Sequence, residues 1–447
     1  MKNKWLVILL ITAFIKGLFW LFLTPIFQIP DEPSHFSYIQ FIAENNRLPH
    51  PRREVVSTRE LMDVAKTVKF DWQITHPVWQ GYADDWQAKL KAIEPRQEWE
   101  SNPELTALKR PVGYYYLASQ VYGIFDQQNF LWRFFIVRIF SLICQIVIIW
   151  LVYLTAQKLF KNNWLSLASA AGVGFHPGFS FIVSGISYEA LAALAVSVFV
   201  YLATAKAKPV FLVLTAFVGI LIKPDLIFLL LLLPFLLPKK YKKWVTGVLI
   251  GLLVGVGITL PLVNQIIRGQ YPWLDRWLYV FPWKDYSLAA NQAFQVVFAG
   301  GWWGKTGEYL NLFFRIHYHQ IFAWYWGVFG WLEKTMPIRV YTGLKILTLL
   351  SAFGLIRFWP KVKWLILAVV IQAGVVVAND FLIFSQSGQL YGIQGRYFYP
   401  AIGPQMILLA LGLSRFISPK LIIMGAIGLN LIGLYSLWQY FGNVWSY

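Results

Sequence analysis

Cysteine is almost missing from these 447 residues: the single Cys144 sits inside an apolar run, so no intrachain disulfide can form. Charge is scarce as well, with Asp, Glu, Lys and Arg at 13% against 57% hydrophobic residues. A soluble globule of this length could not hide so much apolar surface, so lipid is the main solvent. Acids are the scarcer sign, 21 against 39 basic residues, for a formal net charge of +18. That excess does not point to nucleic acid, because no basic cluster is interleaved with a soluble fold and most basic residues stand at the ends of apolar runs. Internal repeats, low-complexity tracts and a soluble domain are all absent. The first apolar run lacks a small-x-small cleavage site and continues for about 20 residues to Gln28-Ile29-Pro30-Asp31, which reads as a retained first helix rather than a signal peptide.

What is present in quantity is apolar runs of membrane-crossing length, about 20 residues each. The sequence predicts an all-α polytopic membrane protein, a single membrane-embedded domain over 1–447. Its candidate spans are 5–24, 132–157, 163–183, 186–205, 209–222, 225–238, 243–264, 338–357, 362–383, 398–414 and 419–440, about eleven helices. Charge then sets the orientation. With a cytoplasmic amino terminus, the inner segments hold Lys2, Lys4, Lys158, Lys161, Lys206, Lys208, Lys239, Lys240, Lys242, Lys243, Arg357, Lys361, Lys363, Arg415 and Lys420, and no acid. The acids fall outside or near outer helix ends, 13 of the 21 between Asp31 and Glu104. The carboxyl terminus is then extracytoplasmic. A single helix over 207–239 would be about 50 Å long at 1.5 Å per residue, too long for about 30 Å of hydrocarbon, so two short helices meeting at Lys223-Pro224-Asp225 are expected. Broken backbone at that depth calls for a polar cavity, here opening outward.

Two long segments stay outside. The first extracytoplasmic loop, 25–131, ends in Pro111-Val112-Gly113-Tyr114-Tyr115-Tyr116-Leu117, which reads as an interfacial helix. The second, 265–337, carries Trp273, Trp277, Trp283, Trp302, Trp303, Trp324, Trp326 and Trp331, amphipathic rings suited to contact with membrane lipids at the interface.

The sharpest local feature is Pro30-Asp31-Glu32-Pro33-Ser34-His35. Asp31 or Glu32 can cap a helix starting at Pro33, and a cap can also be a catalytic carboxylate. Phe36, Ile39, Phe41 and Ile42 would then form a lipid-facing side. The Glu32-x-x-His35 spacing permits metal ligation from one helical face, although no second such pair and no His-Glu-x-x-His accompanies it. Three cations fall on the same outer side: Lys223 at the broken-helix junction, Arg138 near the start of the second span, and Arg396 in Gly395-Arg396-Tyr397. Each can snorkel to lipid phosphates; together with Asp31 they suggest an acid facing a phosphate-binding cluster. Tyr188 and Glu189 open the fourth span, where Glu189 equally suits the helix dipole. Lys16 lies mid-span and lines the cavity or pairs with a neighbour, whereas His317 and His319 have a spacing too common to define a metal site.

The Pro-Asp-Glu-Pro-x-His run, Arg110-Pro111-Val112-Gly113-Tyr114-Tyr115, Trp326-Gly327-Val328-Phe329-Gly330-Trp331 and Gly395-Arg396-Tyr397 resemble a family of bacterial and archaeal multi-pass proteins. That family is similar to a branch of the GT-C superfamily, which includes protein O-mannosyltransferases and lipid A aminoarabinose transferases. The likeness covers Asp31 to about Tyr399; this chain has Pro111-Val112 where relatives often have two prolines. The resemblance implies a glycosyltransferase moving a sugar from a polyprenyl-phosphate donor to a glycan, lipid or protein acceptor. The active site would face the extracytoplasmic side of the plasma (inner) membrane. It also places the catalytic acid at Asp31, with Glu32 beside it. Arg396, Lys223 and Arg138 are then donor-phosphate ligands, and His35, Tyr188, Glu189 and Tyr397 line the substrate cavity. A divalent ion (Mg or Mn), if used, would sit on Glu32 and His35. The alternative function is a transporter or flippase of a lipid-linked saccharide, against which the lack of repeat symmetry counts.

Overall fold

The computed structural model describes residues 4–49, 56–71, 78–83, 85–95, 98–101, 110–243, 246–247, 250–251, 302–390 and 392–442. The expected span 243–264, and Trp273, Trp277 and Trp283 of the second loop, lie almost wholly or wholly outside these residues.

The first helix, α1 (Lys4–Leu23), shows why lipid is the solvent. Leu9, Ala13, Lys16 and Trp20 recur at steps of three and four and are buried, while Val7, Ile8, Ile11, Ile15, Phe19 and Phe22 on the other faces are exposed. The 31-residue α6 (Phe130–Phe160), with Asn129 capping the Trp132 amide, is the second long span. Between them lie α2 (Glu32–Asn45), α3 (Arg59–Thr67), α4 (Trp86–Ala92) and α5 (Gly113–Gly123). The strands β1 (Val56–Thr58) and β2 (Trp99–Ser101), separated in the chain by α3 and α4, pair as a two-stranded antiparallel sheet.

Next come α7 (Asn163–Gly174) and α8 (Pro177–Val183), bent by 56° to one another where Pro177 interrupts the expected span 163–183. They are followed by α9 (Tyr188–Thr204) and α10 (Pro209–Ile222). A 3-10 turn (Pro224–Ile227) then leads into α11 (Phe228–Leu236), so the helix breaks at Lys223-Pro224 as the length argument requires. After the undescribed stretch come α12 (Trp302–Leu312), a π-helical turn (Phe313–His317), and α13 (Tyr318–Gly327). A short hairpin of β3 (Val328–Phe329) with β4 (Lys334–Thr335) follows. The expected spans 338–357 and 362–383 correspond to α14 (Ile338–Leu355) and α15 (Trp359–Ser387), which meet at a 3-10 turn carrying Arg357. The chain ends with a 3-10 segment (Gly395–Ala401), α16 (Ile402–Leu413) and α17 (Pro419–Phe441). Among the described residues, four helical stretches are long and apolar enough to cross a membrane, or five with the bent pair taken as one.

One expectation is corrected. Phe36, Ile39, Phe41 and Ile42 of α2 do not face lipid; all four are buried. Phe36 packs on Phe130, Phe134 and Tyr122, and Phe41 on Trp99. An apolar periodicity reports a covered face without saying whether lipid or protein covers it. Here protein does. Arg133 at the foot of α6 pairs with Glu60 and donates to Tyr122, while Gln40 of α2 donates to Glu44 and Glu60, so α2, α3, α5 and α6 share one polar knot.

Lys16 is also inside the bundle. Its Nζ donates to Ser180 Oγ at 2.7 Å, next to Asn430, which joins Trp20 Nε1 to the Phe175 carbonyl.

Candidate active site

The turn from α1 to α2 is the foundation of the site. Phe27 and Asp31 both adopt left-handed backbone, at φ 65° and 67°. An L-residue pays roughly 1–2 kcal/mol for that conformation, and a bulky Phe tolerates it only when the surroundings hold it there. They do so from both sides: the Phe27 amide donates to Glu32 Oε2 at 3.0 Å, and Trp331 Nε1 donates to the Phe27 carbonyl at 2.9 Å. The Gly-Val-Phe-Gly-Trp run therefore latches onto the first turn of the chain.

Glu32 and Arg138, expected as a second acid and a phosphate ligand, saturate each other instead. Arg138 Nε and Nη2 donate to the two oxygens of Glu32 at 2.8 and 2.7 Å, and its Nη groups also take the carbonyls of Leu21, Thr24 and Pro25. Glu32 further accepts from the amides of Phe27 and Ile186. Both side chains are fully buried. A buried bidentate pair with five additional backbone bonds repays its desolvation and fixes the end of α1.

Asp31 is built differently. It occupies the N-cap position of α2 but makes no side-chain cap bond, and its side chain is 43% exposed. Its Oδ2 accepts from Arg396 Nη2 at 2.5 Å while Arg396 Nη1 donates to the Pro30 carbonyl at 3.0 Å. Enclosure works to raise the carboxyl pKa, but the charge and hydrogen bond of the Arg396 guanidinium lead the effects that outweigh it and hold Asp31 below its ordinary value. The arginine arrives there because Gly395 lets the chain lie on the backbone of α13: a Cβ at that position would sit 2.1 Å from the Tyr325 amide nitrogen. Tyr399 completes the docking by donating to the Tyr325 carbonyl.

A second ion pair closes the other flank. Lys223 Nζ donates to Glu189 Oε1 at 2.7 Å, lies 3.5 Å from Asp225, and is flanked by the rings of Tyr188 and Tyr397 at 5.4 and 5.3 Å. Arg396 lies 5.7 Å from the Tyr397 ring, so this tyrosine sits between the two cations. Gly113, at the head of α5, allows that helix to press on the Leu221 carbonyl just before Lys223. This brings in Tyr115, whose hydroxyl is 2.9 Å from His35 Nδ1 and whose ring stacks on Tyr38. His35 also meets Tyr188 edge to face. Burial pushes the His35 pKa down to about 3, Asp31 opposing and Arg396 adding to the effect, so the ring is neutral near pH 7.

All the residues expected at the site thus come together, in three ion pairs of distinct character. The Glu32–His35 pair does not suit the metal role, since the Glu32 carboxylate is already filled by Arg138 and the Phe27 and Ile186 amides. Among the described residues, no group of three or more His, Cys, Asp or Glu is placed to hold a metal ion. Sequence reasoning missed Asp225, Tyr38 and Arg110 as site members. Arg110 is exposed and within electrostatic reach of Asp31, His35 and Tyr188; its place at the head of the Pro-Val-Gly-Tyr-Tyr run was the available signal.

The apolar outer faces, the spans and this polar centre define a helical multi-pass membrane protein. Residues 14–403 match the family described as "Predicted membrane protein (DUF2142)", and the chain belongs to that family. No curated protein matches it. Among solved structures it is similar to ArnT from Cupriavidus metallidurans in the apo state, at 11% identity and a TM-score of 0.38, covering 98% of this chain and 76% of that one. It is also similar to ArnT from the same organism bound to undecaprenyl phosphate, at 13% identity and 0.37, covering 97% and 63%. A third likeness is to the Archaeoglobus fulgidus oligosaccharyltransferase in the apo form, at 13% and 0.41, covering 100% and 56%. The chain thus spans less than two thirds of the second and third of these. At such TM-scores the likenesses carry no weight for the chemistry of the site.

Proposed function

We propose that this protein is a glycosyltransferase of the plasma (inner) membrane that moves a sugar from a polyprenyl-phosphate donor to an extracytoplasmic glycan, lipid or protein acceptor, with Asp31 as base. The observation that carries this reading is the Asp31–Arg396 pair: a solvent-accessible carboxylate, set in a left-handed turn, against a buried guanidinium. The motifs resembling the GT-C superfamily fall on that pair and on its supports, which agrees with the reading.

The chemistry follows from the partners. The oxygen of an acceptor hydroxyl attacks the anomeric carbon, and its proton passes to the free oxygen of Asp31. The bond from that carbon to the donor phosphate breaks with its electron pair left on phosphate, which departs as polyprenyl phosphate. This is one displacement, with inversion. A phosphate leaving group needs no general acid, only cations that meet its growing charge. Arg396 offers the fork geometry for this, Lys223 and Arg110 add positive potential, and Glu32 with Arg138 holds the turn that aims Asp31. No step needs a metal bound to Glu32 or His35.

The test is mass spectrometry of lipid-linked sugars and surface glycans in cells with and without the gene. Loss of the gene is expected to accumulate one polyprenyl-phosphate sugar and to remove one glycan residue. Unchanged levels of both would remove the reading.

A further inference from the structure

Two of the three ion pairs at the site, Arg396–Asp31 and Lys223–Glu189, are each left half used. Arg396 spends Nη1 on the Pro30 carbonyl and Nη2 on Asp31, and its Nε is buried without a partner among the described residues. Glu189 spends Oε1 on Lys223, and its Oε2 is likewise buried and unpartnered. Lys223 cannot swing across to satisfy both oxygens, being held between the Tyr188 and Tyr397 rings and drawn toward Asp225. Glu189 is itself fixed at the first turn of α9, where Ser187 Oγ accepts from its amide. The two charges lie within electrostatic reach of each other.

Buried polar atoms without partners are uncommon and call for an explanation. Here a donor and an acceptor stand unused in one cluster, which specifies a complementary ligand. Arg396 Nε calls for an oxyanion, and Glu189 Oε2 calls for a hydroxyl. A sugar joined to phosphate presents both a few ångströms apart; a bare polyprenyl phosphate presents only the first. We propose that Glu189 is a specificity-determining residue whose Oε2 accepts a hydrogen bond from a ring hydroxyl of the donor sugar while Arg396 Nε binds the adjoining phosphate. This rests on the glycosyl-transfer reading above and adds to it a device that separates loaded donor from spent carrier. The carboxylate–hydroxyl bond is charge-assisted and replaces no existing contact of Glu189, so it discriminates at full strength.

The experiment measures binding of a twenty-carbon polyprenyl phosphate, bare or carrying glucose, mannose or arabinose, to the full-length protein in nanodiscs. Wild type is expected to bind one glycosylated lipid about tenfold or more tighter than the bare phosphate. Glu189→Gln is expected to bring that ratio to within about twofold, the neutral amide making only a weaker bond. Arg396→Gln weakens both ligands by the same factor. Among singly deoxygenated sugars, one position reproduces the loss in wild type and causes no further loss in Glu189→Gln. Glu189→Asp, which keeps a charge for Lys223 but withdraws the second oxygen, serves if the amide variant does not fold. Two results overturn the proposal: a wild type that binds bare and glycosylated phosphate equally, or a Glu189→Gln variant that shifts both affinities equally and leaves their ratio intact. Failure of the transfer reading looks different: the Glu189-dependent preference is present but no glycoside is ever formed.

Discussion

Asp31 Oδ2 and Arg396 Nη2 meet at 2.5 Å although 365 positions separate them in the chain. The contact ties the turn after the first helix to the segment before α16. It also makes Arg396 a shared resource: on the proposed reading, a donor phosphate at the spare Nε divides the guanidinium's charge with Asp31. On that reading the carboxylate is a poor base in the resting protein and would gain proton affinity with the donor in place.

That exchange has a pH signature. In the free protein, the effects led by Arg396 outweigh that of enclosure and hold Asp31 below its ordinary value. A base works only when ionised, so activity falls as pH drops through its pKa. The acid limb of kcat/KM, which reports the free protein, should lie below that of kcat, which reports the donor complex. Arg396→Gln should move the kcat/KM limb upward, since enclosure then prevails. Coincident limbs that ignore the substitution would contradict the exchange.

Glu32 and Arg138 should behave as structure rather than chemistry. Removing one partner of a buried ion pair leaves an uncompensated charge, at a cost of about 3–5 kcal/mol. Arg138→Met and Glu32→Gln are each expected to lower the melting temperature of the detergent-purified protein well below that of Asp31→Asn. The double variant Glu32→Gln/Arg138→Met should lose less than the sum of the two. Wild-type melting with lost activity in Arg138→Met would return that arginine to the chemistry.

Orientation can be read by cysteine accessibility in a Cys144→Ser background. Asp126, in the turn between α5 and α6, is expected outside, and Lys206, between α9 and α10, inside. A membrane-impermeant maleimide should label Asp126→Cys in intact cells and Lys206→Cys only after permeabilisation. The reverse pattern would put Asp31 on the wrong side for an extracytoplasmic acceptor.

The helical, membrane-spanning character of the fold was legible in the sequence, because hydropathy is a local signal. The break at Lys223-Pro224 followed from length alone, and the Asp-Glu motif, the Gly-Arg-Tyr motif and Lys223, singled out separately, lie beside one another in the folded chain. Which acid pairs with which cation was not legible. Asp31 and Glu32 are adjacent in sequence, yet the left-handed turn sends one toward Arg396 and the other toward Arg138, and only the folded chain sets those partners. The lipid-facing reading of α2 failed for a related reason: Phe36 is covered by Phe130 and Phe134, far along the chain. Lys16 found Ser180, a partner no local pattern announces.

The most direct test of the central claim is transfer by purified Asp31→Asn protein in proteoliposomes, using the polyprenyl-phosphate sugar that accumulates in cells lacking the gene. The variant should melt like wild type and still bind the donor, because Arg396 and the Glu32–Arg138 clamp remain. Its turnover should fall at least about a hundredfold, the usual contribution of a general base. Turnover near the wild-type rate in a well-folded Asp31→Asn protein would contradict the account.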